Sequence, residues 1–194
     1  MRLPPGVDAR DFDKALDEFR TIVGEEWVFT EDSDVDLYRD AYSILWDDPD
    51  ERVASAAVCP ASAEEVQAVI KIANEFVIPI YPISTGRNLG YGGSAPNLSG
   101  SVVLDLKRMN RIIDVDEKNA SVLVEPGVSY FDLYAHFQKN NIRLMIDVPD
   151  PGWGSLLGNA LDRGFGYLTP MTRDHFDSHW EVATSKEHIA NLLT

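Results

Sequence analysis

The sequence has very little cysteine: Cys59 is the only one among 194 residues. No disulfide can therefore form within the chain, and nothing in its cysteine usage indicates an oxidising compartment. Cys59 precedes Pro60 at the end of an apolar run, and we interpret it as a buried strand residue rather than a nucleophile. The sequence also lacks an apolar run of the ~20 residues that cross a bilayer, and its first residues lack the apolar core of a secretory signal. These absences predict a cytoplasmic protein that does not enter a membrane.

Positive charge is scarce as well, because 17 Lys and Arg residues face 32 Asp and Glu residues, for a net charge of −15. A nucleic-acid-binding domain needs a basic face, so this composition excludes that class of partner. The densest acidic stretch, residues 31 to 50, is interpreted as solvated surface. His175 and His179 have the spacing of a metal pair on a helix, but no third ligand joins them, and we predict no metal site.

Two amphipathic helices are predicted in the first half of the chain. Apolar residues at three- and four-residue spacing predict a helix over residues 11–23, and Gly24 follows in the position of a left-handed cap. A second helix is predicted to start at Ser62, with Glu65 as its capping-box partner. The apolar face of this second helix is Val66, Val69, Ile70, Ala73 and Val77.

Five short β-branched or apolar runs predict strands, at residues 55–59, 78–83, 101–106, 112–115 and 121–124. The polar residues 116–119 between the last two predict a hairpin. Ser129 is predicted to cap a helix that runs to about Asn140. Strand, helix and strand followed by hairpins favour a mixed α+β domain over a doubly wound parallel sheet.

A glycine-rich segment follows the strand at 78–83. It reads Ser84-Thr85-Gly86-Arg87-Asn88-Leu89-Gly90-Tyr91-Gly92-Gly93-Ser94. Its glycines permit positive φ, and successive N–H groups in such a turn converge on an anion, so we predict a pyrophosphate site. The Walker pattern fails because no lysine follows any glycine, and the Rossmann pattern fails because this loop runs into Pro96 and a strand rather than a helix. A flexible surface loop remains the alternative on composition alone.

A second glycine cluster occupies residues 152–159 and 162–167. Ser155 is predicted to cap a short helix, whose N-terminus favours an anion. Glycines at 152, 154, 158, 164 and 166 indicate backbone lying against a large flat ligand; the alternative is a tight turn with a packed short helix. Two such segments, about 60 residues apart, would line opposite sides of one long ligand, which favours a dinucleotide.

The segment from Ser84 to Pro96 resembles the pyrophosphate loop of the vanillyl-alcohol oxidase, eugenol oxidase and 4-cresol dehydrogenase family of flavoproteins. The similarity continues at residues 103–110, 124–128, 147–150, 158–159 and 162–167, so it covers roughly residues 3 to 167. It implies an FAD-binding domain of the PCMH type, an α+β fold of mixed sheets flanked by helices, which is incomplete here. The expected organisation is an N-terminal helical and extended segment at 1–50, the FAD-binding part at 51–167, and a divergent tail at 168–194.

The resemblance also implies a set of FAD-binding residues. They are Ser84, Thr85, Gly86, Arg87, Asn88, Leu89, Gly90, Tyr91, Gly92, Gly93, Pro149, Gly154, Ser155, Gly158, Asn159, Gly164, Gly166 and Tyr167. Enzymes of this family oxidise para-substituted phenols by hydride transfer to flavin N5, and Asp150 matches the aspartate that assists beside N5. Before Pro151, an aspartate is also a common turn residue.

The family pattern weakens after Tyr167, so the resemblance places no phenol-binding residue and no residue that attaches FAD covalently. We therefore expect this chain to be inactive alone; the alternative is a non-catalytic flavin- or nucleotide-binding remnant of a truncated gene. The expected partners are FAD, a phenolic substrate, and oxygen or a cytochrome as electron acceptor. Missing strands would expose a sheet edge and favour self-association into a homo-oligomer.

Overall fold

The computed structural model describes residues 2–87, 93–146 and 152–161. The chain divides into two compact units, Met1–Arg108 and Met109–Thr194, called here the first and second units. Each unit is described by itself.

The first helix of the first unit, α1, spans Ala9–Val23 and begins where the Asp8 side chain accepts a hydrogen bond from the Asp11 N–H at 2.9 Å. It buries an apolar stripe that includes Phe12 and Phe19, as the sequence periodicity predicts. Gly24 ends the helix with φ 95° and ψ 149°. The prediction of a left-handed cap was wrong in its ψ angle, because the chain leaves the helix directly into an extended path that only glycine adopts readily at this φ.

A short four-residue helix, α2, spans Asp32–Val35, and the main second helix of this unit, α3, spans Ala63–Glu75. Ser62 caps α3 by accepting from the Glu65 N–H at 3.2 Å, whereas the Glu65 carboxylate accepts from the Ala61 N–H at 2.7 Å. The predicted cap is therefore confirmed, with the reciprocal bond moved one residue back.

One assignment on the apolar face of α3 was wrong. Val77 is 78% exposed, whereas Ile72, which the predicted face did not include, is buried in the core. The helix ends at Glu75, so the helical spacing that linked Val77 to Ala73 no longer applies two residues later. Val77 instead adopts a positive φ of 54°.

Four strands of the first unit form one mixed sheet: β1 at Val28–Phe29, β2 at Ala56–Val58, β3 at Ile80–Ile83 and β4 at Val102–Asp105. Their order is β1-β2-β4-β3. The β4 strand runs parallel to both of its neighbours, and β1 is antiparallel to β2. All residues of β2 and β4 are buried, which is the pattern of strands covered on both faces.

The second unit contains a hairpin of β5, Ile112–Asp116, and β6, Ser121–Val124, as predicted. In its turn, the Asp116 carboxylate accepts from the N–H groups of Lys118 and Asn119. The helix α4 spans Tyr130–Asn140, and α5 spans Leu156–Leu161. The α4 helix begins at a capping box in which Ser129 and Asp132 bond each other's N–H groups.

The mixed sheet, the hairpin and the helices confirm the predicted α+β class. Within the described ranges, no helix combines the length and apolarity that crossing a membrane requires.

Candidate functional site

The glycine-rich loop belongs to the first unit and follows the carboxyl end of strand β3. Strand β3 ends at Ile83, which pairs with Asp105, the last residue of the parallel strand β4. On the other side of β4, Val58 of β2 pairs with Leu104, so Cys59 follows at the same edge. Ligands of open sheets bind outside the carboxyl ends of parallel strands. The loop therefore starts from the edge where a ligand is expected.

The two described limbs of the loop, residues 84–87 and residues 93–94, contact each other. The Ser94 hydroxyl donates to the Gly86 carbonyl at 3.2 Å. Gly86 has φ +64°, and a Cβ built on it would lie 2.2 Å from Ser94 Oγ and 3.1 Å from Ile83 Cδ1. Glycine at 86 is thus required both by its backbone angle and by the close approach of residue 94. At Gly93, with φ +56°, a Cβ would meet no atom within 4 Å.

Five of the predicted FAD-binding residues of the loop lie in the described part of the chain: Ser84, Thr85, Gly86, Arg87 and Gly93. None of them is helical; Thr85 is buried and Arg87 is exposed. The other predicted loop residues lie outside the described residues: Asn88, Leu89, Gly90, Tyr91 and Gly92.

The loop fits a diphosphate in its chemistry. Two glycines with positive φ, the hydroxyl side chains of Ser84 and Thr85, and Arg87 supply backbone and side-chain donors between residues 84 and 93. The open space beside Gly93 lets a ligand approach the backbone closely. The donor set matches the preference of an anion for converging N–H and O–H groups.

A buried polar network beside the loop was missed by the sequence reasoning. Asp105 is 1% exposed, and its carboxylate accepts from the Tyr38 hydroxyl at 2.9 Å and pairs with Lys107 Nζ at 2.8 Å. The Lys107 N–H also donates to it, at 3.0 Å. The sequence feature that could have indicated this network is an aspartate at the end of an otherwise apolar strand.

Cys59 lies at the edge of this network, with its thiol 3.9 Å from the Tyr38 hydroxyl. Burial, and then the Asp105 charge, raises the pKa of the Cys59 thiol to about 12. Burial and the Asp105 charge also raise the pKa of Tyr38 far above its ordinary value. Burial and this raised pKa both disfavour the thiolate, as expected for a buried structural cysteine.

In the second unit, the described part of the second glycine cluster packs on the start of α4. The Tyr130 and Phe131 N–H groups donate to the carbonyls of Gly154 and Gly152 at 3.1 and 3.0 Å. Ser155, which is buried, caps α5 as predicted by accepting from the Gly158 N–H at 2.8 Å.

Two side chains of α4, Tyr130 and Phe131, contact residues of this cluster. The Asn159 amide donates to the Tyr130 hydroxyl at 2.9 Å. A Cβ on Gly152 would lie 2.9 Å from the Phe131 ring. At Gly152 the close approach of the Phe131 ring favours the alternative of a tight packed turn.

The remaining sequence-derived site residues, Pro149, Asp150, Gly164, Gly166 and Tyr167, lie outside the described residues. So does the tail from 168 to 194 that contains His175 and His179. Within the described ranges, no cluster of His, Cys, Asp or Glu side chains could hold a metal ion.

Comparison with known proteins identifies the family. The profile of the FAD binding domain family matches residues 54–190. The chain belongs to this family. The flavoprotein resemblance and the FAD cofactor that it implies are thereby confirmed.

Three similar proteins are named for phenols, and more distant relatives are named as glycolate oxidase and D-lactate dehydrogenase. The chain is 43% identical over 178 residues to the flavoprotein subunit of 4-cresol dehydrogenase (hydroxylating) from Pseudomonas putida, covering 90% of this chain and 33% of that protein. It is 44% identical, with a TM-score of 0.82, to 4-ethylphenol oxidase from Gulosibacter chungangensis in complex with isoeugenol, covering 86% of this chain and 32% of that one. For substrate-bound p-cresol methylhydroxylase the identity is 42% and the TM-score 0.78, covering 84% of this chain and 31% of that one. The chain thus spans about a third of the length of these relatives.

Proposed function

We propose that this chain is the FAD-binding part of an oxidoreductase that acts on para-substituted phenols, and that residues 84–94 bind the diphosphate of FAD. The observation that carries the proposal is the loop itself. Its two ends approach each other where Ser94 bonds the Gly86 carbonyl. It starts at the carboxyl end of parallel strands, in a chain of the FAD binding domain family.

The diphosphate would be held mainly by backbone N–H groups of the loop, with the hydroxyls of Ser84 and Thr85 as further donors. Each hydrogen bond to a charged acceptor contributes about 1.5–3 kcal/mol, so three or four of them suffice for binding. The net charge of −15 opposes this little, because exposed carboxylates more than about 8 Å away are screened at physiological salt. Arg87, exposed at the end of the described limb, supplies a positive charge nearby.

The remaining cofactor contacts are carried over from the resemblance. Asn88, Leu89, Gly90, Tyr91 and Gly92 would complete the loop. A second set would contact FAD from the other glycine cluster: Pro149, Gly154, Ser155, Gly158, Asn159, Gly164, Gly166 and Tyr167. For Asn159 this role would have to coexist with its hydrogen bond to Tyr130.

Bound FAD supplies a hydride acceptor. We propose that Asp150 assists as a base or electrostatic partner on the substrate side, where a carboxylate accepts a proton from the phenolic substrate or stabilises developing positive charge. Relatives that are named for 4-cresol, 4-ethylphenol and p-cresol support a para-substituted phenol as the substrate. Electrons would pass from FAD to oxygen or to a cytochrome.

The proposal is tested by FAD titration of the purified chain, followed by quenching of flavin fluorescence, for the parent and for Gly86→Ala. Because the added methyl group would clash with Ser94 Oγ, we expect Gly86→Ala to weaken FAD binding at least tenfold. Gly6→Ala is the matched control: Gly6 has φ +77° and open space around it, so it carries a similar backbone penalty outside the loop. The proposal fails if the parent chain does not bind FAD, or if Gly86→Ala binds it as tightly as Gly6→Ala does.

A second measurement addresses the phenol. We expect these 194 residues alone to bind FAD without oxidising vanillyl alcohol, because the chain corresponds to about a third of its relatives. Oxidation of vanillyl alcohol by the purified chain with FAD would contradict that expectation and would place the whole reaction within this chain.

A further inference from the structure

The ends of the three parallel strands in the first unit are tied together by side chains that the proposed FAD contacts do not include. Asp105 closes β4 and pairs in register with Ile83, the residue from which the loop departs. Its carboxylate receives three donors: the Tyr38 hydroxyl, Lys107 Nζ and the Lys107 N–H. A carboxylate that is this buried and this well paired holds its neighbours in one arrangement, since each lost partner would leave buried charge unsatisfied.

The end of β2 is fixed at the same edge by a second cation. The Arg108 guanidinium donates to the Cys59 carbonyl at 2.6 Å and stacks over the Trp27 ring at 3.9 Å. Lys107 and Arg108 belong to the 3-10 turn Leu106–Arg108, which directly follows Asp105. Through Lys107, which pairs with Asp105, this turn holds the carboxyl end of β4. Through Arg108, which donates to the Cys59 carbonyl, it holds the carboxyl end of β2.

Tyr38 links this edge to a remote part of the chain. It lies 67 residues before Asp105 and is 6% exposed. It belongs to a core cluster that also contains Ile83 and Val103. Tyr38 thus shares a core cluster with the last residue of the strand that carries the loop, and its hydroxyl bonds the end of the neighbouring strand.

We infer that Tyr38 and Asp105 are positioning residues for the FAD diphosphate loop: they fix the strand end from which the loop leaves, and so hold the Gly86 and Gly93 N–H groups in place before the cofactor binds. The inference rests on the proposed function. A loop with fixed N–H groups binds its ligand more tightly than one that must be ordered on binding, because the ordering cost is already met. Neither residue needs to touch FAD for this effect.

The test uses Tyr38→Phe and Asp105→Asn in the 194-residue chain, with Val69→Ala as the control. Val69 is fully buried on α3, so its truncation lowers stability without removing a member of the network. Three quantities are measured: the FAD dissociation constant, the melting temperature, and the backbone 15N–1H shifts of Gly86 and Gly93 without FAD. The amide shifts report on the loop directly, and a loss of stability elsewhere does not move them.

We expect Tyr38→Phe and Asp105→Asn to raise the FAD dissociation constant at least tenfold and to shift the Gly86 and Gly93 amides. Val69→Ala should leave both within error, at a comparable loss of melting temperature. Tyr38→Phe keeps the ring and removes only the hydroxyl, so it decides the question if Asp105→Asn does not fold.

The inference is overturned if the chain binds FAD but Tyr38→Phe changes neither the affinity nor the two amide shifts. It is also overturned if Val69→Ala has the same effects at matched stability, because the role would then be general. If the parent chain does not bind FAD, the proposed function fails, and the amide shifts alone still decide whether Tyr38 and Asp105 hold the loop.

Discussion

Replacing Val77 with asparagine should stabilise the chain by about 1 kcal/mol, since the left-handed conformation costs a residue with a Cβ roughly 1–2 kcal/mol and asparagine tolerates it better. Val77 follows α3 with φ 54°, and the Ile78 N–H donates to the Ala73 carbonyl at 2.8 Å to close the helix end. A β-branched residue is the least suited to this position. At 78% exposure, its side chain contributes little burial that the substitution would forfeit.

Urea unfolding followed by circular dichroism measures this change, and a gain of 1 kcal/mol corresponds to about 3 °C in melting temperature for a chain of this size. The end of α4 supplies the reverse experiment. Asn141 has φ 54° there, and the Ile142 N–H donates to the Phe137 carbonyl at 3.0 Å, in the same pattern. Asn141→Val should cost about what Val77→Asn gains. If Val77→Asn leaves the unfolding free energy unchanged or lower, the reasoning from backbone strain is refuted.

Three further predictions concern local interactions. The Arg39 hydrogen bond lowers the pKa of Glu51, so the stability that this bond confers is present above the ordinary glutamate pKa of about 4.3 and is lost as the pH falls through the lowered pKa. Glu51→Gln should therefore flatten the acid side of a curve of unfolding free energy against pH, and an unchanged curve would contradict this. Ser129→Ala removes the α4 cap and should cost about 1 kcal/mol in urea unfolding, whereas no loss would mean that the cap is not formed in solution. Gly100→Ala would place a Cβ 2.6 Å from the Leu3 carbonyl oxygen at φ +86°, and a loss of about 1–3 kcal/mol is expected; a neutral result would show that the N-terminal residues do not pack there.

Local signals in the sequence predicted local structure well. The spacing of Ser62 and Glu65 predicted the start of α3, and Ser129 and Ser155 were predicted as the caps of α4 and α5. These predictions succeed because a cap depends on side chains within three residues of the backbone groups that they satisfy. The β5–β6 hairpin was predicted for the same reason, from a polar turn between two β-branched runs.

Features that depend on distant residues were not predictable in this way. The Tyr38–Asp105 hydrogen bond joins residues that are 67 positions apart, and no local pattern announces it. The close approach of Gly152 to the Phe131 ring likewise joins residues that are distant in the sequence. Periodicity also failed at Val77, because it continues a helical pattern past the residue where the helix ends.

Family resemblance supplied what local physics left open. Composition alone permitted a flexible surface loop at residues 84–94, whereas the order of its residues resembles a flavin diphosphate loop and so predicts that role. Its described limbs are joined by the Ser94 to Gly86 hydrogen bond, a contact between positions eight residues apart that composition does not predict.

The central claim, that residues 84–94 bind the FAD diphosphate, is tested most directly by recording 15N–1H spectra of the labelled chain as FAD is added. The account predicts that the Gly86 and Gly93 amides shift in proportion to the bound FAD, while the Gly6 amide stays in place. FAD binding that leaves Gly86 and Gly93 unshifted, or a chain whose spectrum FAD does not change, would contradict it.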